Sequence, residues 1–148
     1  MKIATLTVRQ PWATFLAHGI KCYETRSWRA QHTGLLAIHA AATFHAQDRL
    51  WALQTPEVCK LLAQCGYHNI LELPLGGVLA AGDLFGCHRT QLLAKRISHT
   101  EQMLGDWSPD RWAWQLDHVR LLSTPIWVQG HQGLWRCEIS AHLIQEQS

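Results

Sequence analysis

The chain lacks the marks of several classes of protein. No window of its 148 residues approaches the ~20 apolar residues that a membrane-spanning helix requires. Met1-Lys2-Ile3 leads straight into a strand pattern and not into a signal peptide, so a cytoplasmic protein without membrane contact is expected. The five cysteines, Cys22, Cys59, Cys65, Cys87 and Cys137, are odd in number and include no Cys-x-x-Cys pair. Neither a disulfide framework nor a zinc ribbon is signalled, and the thiols are expected to be reduced, mostly as small core residues. Ten histidines form no recognised ligand set: His39 and His45 are six apart, and Cys87-His88 has no second pair at useful spacing. No resident metal is therefore indicated, which leaves a dependence on divalent metal open. A Gly-rich phosphate loop is missing, so no cofactor is indicated either. Internal repeats, low-complexity tracts and linkers are absent. One domain over residues 1–148 is expected, long enough to bury a core without disulfides or metal.

A large surplus of one charge is also lacking. The net charge is +2, too small to indicate nucleic-acid binding by itself. Its distribution says more. Residues 1–30 hold Lys2, Arg9, Lys21, Arg26 and Arg29 against Glu24 alone, a local charge of +4 that leaves −2 for the rest. Nine of the thirteen cations are arginine, the side chain that binds phosphate bidentately and stacks on bases.

What is present centres on Lys21-Cys22-Tyr23-Glu24-Thr25-Arg26. If Cys22 to Trp28 is a strand, alternation puts Glu24 and Arg26 on one face with Cys22 and Trp28. Lys21 sits at the turn before it. A carboxylate between two cations offers an acceptor and two anion-binding groups at one place, which suits a phosphate, an acyl group or an amide.

The flanking pattern reads as strand, helix, two strands, helices and four strands. Lys2 to Val8 alternates as a first strand. Pro11 opens a helix to His18 at its first turn, Gly19 supplies a left-handed cap, and Gln10 and Trp12 lie at the helix N-terminus. Gly34 to Ala40 is a central strand whose small final residues let a ligand approach or a helix pack. Thr55-Pro56 starts a helix with Val58, Leu61, Leu62 and Cys65 on one face, ended by Gly66. An earlier helix is expected within Phe44 to Leu53, with Trp51 buried, and Tyr67 to Pro74 reads as a loop. Gly76 to Gly86 is a long strand with glycine bends. Ser98 and Glu101 form a capping box for a short helix to Leu104. Arg111 to Leu116, His118 to Leu122 and Leu134 to Ile139 are further strands. This order predicts an α+β pseudo-barrel of five to seven mixed strands flanked by helices.

Thr5 to Trp12, Gly19-Ile20-Lys21, Glu24-Thr25-Arg26, Trp28 and Gly34 to Ala41 together resemble the opening of an ASCH domain, a family of the PUA-like superfamily. The run is a strand ending in a Gln-Pro-Trp-like element, a helix, a GxKxxExR segment and a strand ending in small residues. The resemblance continues more weakly through Gly76 to Gly86 and Arg111 to Trp135. It implies a PUA-like barrel and a functional role for Lys21, and it implies fold more firmly than activity.

Two hydrolytic activities follow from that resemblance. Some ASCH proteins are amidohydrolases that deacetylate N4-acetylcytidine with a Lys, a Thr three residues later and a distant Glu. Here the third residue after Lys21 is Glu24, and Thr25 on a regular strand faces the other way. Other members are ribonucleases or RNA binders. Cleavage of RNA needs a base, an acid and cations at the phosphate, and Lys21, Glu24 and Arg26 are the candidate catalytic residues. Asp83 is a candidate second carboxylate. Candidate substrate contacts are Gln10, Pro11, Trp12, Tyr23, Trp28, His39 and Trp114. Of the eight tryptophans, Trp12, Trp28, Trp112 and Trp114 are expected near the cleft as stacking faces, and Trp51, Trp127 and Trp135 in the core. The reading that follows is an RNA- or modified-nucleoside-binding protein, hydrolytic as a ribonuclease. The alternatives are an N4-acetylcytidine amidohydrolase and a non-catalytic RNA-binding regulatory module.

Overall fold

The computed structural model describes residues 1–145. Six strands form one mixed sheet: β1 (Lys2–Val8), β2 (Tyr23–Arg26), β3 (Gly34–Ala40), β4 (Gly77–Arg89), β5 (Trp112–Trp127) and β6 (Leu134–Glu138). Their order across the sheet is β2-β5-β4-β3-β1-β6. The β1–β3 pair is parallel and the other pairs are antiparallel. The sheet curls into a half-barrel. Its curl brings the end strand β2 back to β1, where Arg26 Nη2 donates to the Thr7 carbonyl at 2.9 Å. The architecture is the α+β pseudo-barrel that the pattern predicts.

Helix α1 (Trp12–Ala17) fills the concave side. Ala13, Leu16 and Ala17 pack on Leu6, Val8, Leu36, Ile38 and Trp114 of the sheet. Phe15 turns the other way, into a cluster with Val58 and Leu62 of α3 (Pro56–Gln64). Burying a side chain such as Phe15 or Leu16, both fully enclosed, contributes about 1.5–3 kcal/mol. These two residues therefore anchor the six-residue helix more than its own propensity does. Gly19, at φ 73°, ends it in the left-handed conformation that glycine adopts without strain. Pro11 stands one place before the expected position, as the N-cap after a cis Gln10–Pro11 bond.

Beyond α1 the helices are α2 (Ala46–Gln54), α3, α4 (Thr90–Leu93), α5 (His99–Met103) and α6 (Ala141–Gln145), with a 3₁₀ turn at Ile70–Glu72 inside the expected loop. Thr55 precedes Pro56 at the start of α3 and Gly66, at φ 93°, follows its end. The two segments expected around residue 117 are one strand, β5. Asp83 pairs with Asp117 and Ala81 with Arg120, so His118 and Val119 stand opposite Gly82 alone. This is a β-bulge with His118 at φ 52°, which bends the strand without ending it.

Candidate functional site

Lys21 follows the α1 turn, and β2 carries the next residues along the open side of the half-barrel. Lys21 is 1% exposed, the largest departure from the usual solvent-facing lysine. Its Nζ donates to the Tyr23 carbonyl and lies 3.7 Å from Glu24 Oε1. The other Glu24 oxygen accepts from Arg26 Nε at 3.0 Å. The carboxylate thus bridges the two cations, as strand alternation predicts for Glu24 and Arg26. A buried charge is tolerated only when paired and hydrogen-bonded, and Lys21 and Glu24 meet that condition together.

These residues line a cavity of about 540 Å³ with Thr7, Val8, Arg9, Trp12, Thr25, Arg111 and the 103–106 segment. That segment is latched over β2. Asp106 N donates to Thr25 Oγ1 at 3.2 Å, Trp107 Nε1 to the Glu101 carbonyl at 2.9 Å, and the Trp107 ring stands edge-on to Tyr23. A Cβ on Gly105 would lie 3.0 Å from Trp107 Nε1 and 3.4 Å from Lys21 Nζ, so glycine lets the segment close over the lysine. Arg111 Nη2 donates to the Thr25 carbonyl at 3.1 Å, and its Nε lies 3.4 Å from Asp106 Oδ2, an ion pair without hydrogen-bond geometry. Arg9, Lys21, Arg26 and Arg111 face Glu24 and Asp106 here, an excess of two positive charges. The Ser108 hydroxyl, first among its partners, holds the Asp106 carboxyl below its ordinary value, so Asp106 is ionised at neutral pH.

Several sequence-predicted contacts lie elsewhere. Gln10 is fully buried; its amide donates to the Pro74 carbonyl and accepts from Thr14 N, which leaves it joining α1 to the 70s loop. Pro11 is buried beside it. Tyr23 points away from Glu24, and its hydroxyl accepts from Gln115 Nε2 at 3.1 Å. Trp114 is fully enclosed in the core and offers no face for stacking. Trp28 and His39 line a neighbouring cavity. Trp112 lies beneath the guanidinium groups of Arg29 and Arg89, at 5.5 and 4.1 Å. Asp83 is exposed and pairs with His118 across the bulge at 3.5 Å, far from any carboxylate role at Lys21. Trp12 does line the cavity, stacked on Trp51 at 5.2 Å. Of the tryptophans expected in the core, Trp51 and Trp135 are half-buried and Trp127 is 62% exposed. Among the cysteines Cys137 alone is buried and Cys22 is exposed, which corrects the expectation of core thiols.

Glu101 is the residue that the capping-box reading misplaced. Ser98 Oγ does accept from Glu101 N, so the N-cap stands. The Glu101 carboxylate, however, reaches across to accept from Cys22 N at 2.5 Å, and its second oxygen is buried without a partner. Burial raises its pKa, opposed by the Cys22 N–H and the Lys21 charge. Among the described residues no group of three His, Cys, Asp or Glu side chains could hold a metal ion. No described helix is long and apolar enough to cross a membrane.

The ASCH domain family model matches residues 6–120, which spans the cavity and most of the sheet. The chain belongs to the ASCH family. Similarity extends to activating signal cointegrator 1 of Homo sapiens, 26% identical over 137 residues, and to activating signal cointegrator 1 of Mus musculus, 25% identical over 137 residues. Each match covers 93% of this ASCH chain and 22% of the relative. The chain therefore spans about a fifth of the length of these curated relatives.

Proposed function

We propose that this ASCH domain binds RNA by taking one nucleoside into the Lys21–Glu24–Arg26 cavity, with the adjoining phosphate held by the arginines at its mouth. The observation that carries this reading is the lining itself: four cations against two carboxylates, with Trp12 in the same wall. An anionic ligand with an aromatic face satisfies both features. A volume of about 540 Å³ falls in the range of small-molecule pockets, which suits a single unstacked nucleoside better than a duplex. Arg9, 3.5 Å from Asp48 Oδ2 through its Nε but with its side chain 57% exposed, is placed to meet phosphate, whereas buried Lys21 and Glu24 are placed to meet the base or sugar.

Hydrolysis is the finer version of this reading. Glu24, fixed between two cations, would take a proton from the 2′-hydroxyl or from water, and Lys21 and Arg26 would stabilise charge at the reacting phosphate. One observation favours deacetylation of a modified nucleoside as the second reading. Thr25 lines the same cavity, and its hydroxyl keeps a proton to donate while accepting from Asp106 N.

The test is incubation of wild type and Lys21→Ala with single-stranded RNA and with N4-acetylcytidine, with and without Mg²⁺ or Mn²⁺, read by gel and mass analysis. Cleavage of RNA by wild type alone is the result expected of the ribonuclease. Release of acetate and cytidine would transfer the activity to the amidohydrolase reading. RNA bound without turnover of either substrate would leave a non-catalytic binding module, of the kind a regulatory protein uses.

A further inference from the structure

A second cavity, of about 730 Å³, lies on the other side of Arg26. Thr7 and Arg26 belong to the walls of both cavities, so the Arg26 guanidinium is the partition between them. Its Nε and Nη2 are taken by Glu24 and the Thr7 carbonyl. Nη1 is without a protein hydrogen bond among the described residues, and the side chain is 25% exposed.

The floor of the second cavity is a fixed hydrogen-bond chain. Trp135 Nε1 donates to Thr7 Oγ1 at 3.0 Å, and Thr7 Oγ1 lies 3.1 Å from His39 Nδ1. His39 Nε2 lies 2.7 Å from the Val128 carbonyl. A carbonyl can only accept, so the ring proton is on Nε2 and Nδ1 accepts from the Thr7 hydroxyl. The 128–133 loop lies flat on this floor because Gly130 has no side chain. A Cβ there would come within 2.6 Å of both His39 Cε1 and Thr7 Oγ1. The loop contributes Gln129, His131 and Gln132 to the lining. Opposite, Trp28 is held edge-on by Trp114, with ring centroids 4.7 Å apart, and its carbonyl accepts from Trp114 Nε1 at 3.2 Å.

This wall differs in chemistry from the first. No carboxylate lines it among the described residues, and Arg26 is its one lysine or arginine. It offers a preorganised indole for stacking and primary amides that can both donate and accept, as the edge of a base requires. A neutral heteroaromatic ring suits it better than a phosphate does.

We propose that this cavity takes the neighbouring base of the same RNA strand, with the phosphate between the two nucleosides held at Arg26. The minimal ligand is then a dinucleotide. The inference rests on the proposed function, and its failure is separable from the failure of that reading.

The experiment is calorimetric titration of the intact chain with the dinucleotides pApA, pCpC, pGpG and pUpU and with the four nucleoside 5′-monophosphates. Wild type, Trp28→Ala and the double variant Gln129→Ala/Gln132→Ala are compared. The two glutamines belong to a surface loop, so the double variant keeps the test valid if Trp28→Ala fails to fold. At least one dinucleotide is expected to bind ten times or more tighter than its monophosphate. Trp28→Ala is expected to remove most of that advantage, and the double variant several-fold of it, with monophosphate affinity unchanged in both. Equal affinities for the two ligand lengths, or an advantage that survives both variants, would overturn the second-base inference and leave the proposed function. Binding of neither ligand length would overturn both.

Discussion

Lys21 and Glu101 are buried ionisable side chains on either side of the Cys22 backbone, and each is held by groups that sequence spacing reveals only in part. Glu24 and Arg26 follow from strand alternation, and the ion pairs to Glu24 at 3.7 and 3.0 Å realise that pattern. Glu101 behaves differently because burial raises its pKa. A group whose folded pKa lies above its unfolded value contributes stability below the unfolded value, and that contribution is lost as pH rises through the folded one. The Glu101 contribution should therefore decline above the ordinary value of 4.5, in the mildly acidic range. In Glu101→Gln, whose amide oxygen still accepts from Cys22 N, this decline should vanish. Urea midpoints of both proteins between pH 4 and 8 would check it, and parallel profiles would refute the assignment. The residue-level misses share one cause. Gln10, Tyr23 and Trp114 carry polar or aromatic groups suited to a ligand, but the protein itself occupies them, through Pro74 and Thr14, Gln115 and the core. Spacing shows which residues share an element, and it does not show which partners arrive from residues 74 or 115.

At the scale of elements, caps and periodicity were legible because their chemistry is local. Gly19 and Gly66 end helices at positive φ, and Ser98 caps α5 through its hydroxyl. β5 is split by the sequence pattern into two strands on either side of Asp117, where the structure has one. Its continuity depends on a residue in another strand, Gly82, which accommodates the extra residue of the bulge. A Cβ on Gly82 would stand 2.5 Å from Val119 Cγ2 and 2.9 Å from Val119 Cα. Gly82→Ala should cost about 1–3 kcal/mol, the range of overpacking in a close-packed interior, measured as a lower urea midpoint. An unchanged midpoint would mean that the bulge relaxes freely. The 103–107 segment was also illegible as part of the site. It lies about 80 residues beyond the Lys21 motif and reaches it through Thr25, Tyr23 and Glu101.

For the molecule as a whole, the pseudo-barrel was legible as a class and its consequence was not. Closure of β2 onto β1 through Arg26 and the Thr7 carbonyl divides one expected cleft into two cavities. Three of the five cations in residues 1–30, Arg9, Lys21 and Arg26, gather at the first cavity, joined there by Arg111. RNA affinity should therefore fall with salt. Each phosphate contact removed should flatten the slope of log affinity against log salt by about 0.7 for a single strand. Arg9→Ala should show a change of that size in titrations between 50 and 300 mM salt, and an unaltered slope would remove Arg9 from the phosphate contacts.

The most direct test of the central claim is an anisotropy titration of labelled single-stranded RNA with wild type and Lys21→Met at one salt concentration. Methionine keeps most of the buried volume, and a thermal melt checks the fold. Loss of a hydrogen bond from a charged donor costs about 1.5–3 kcal/mol, or roughly ten- to a hundredfold in affinity. A folded Lys21→Met is expected to lose affinity in that range. A folded Lys21→Met that binds RNA as tightly as wild type would contradict the claim.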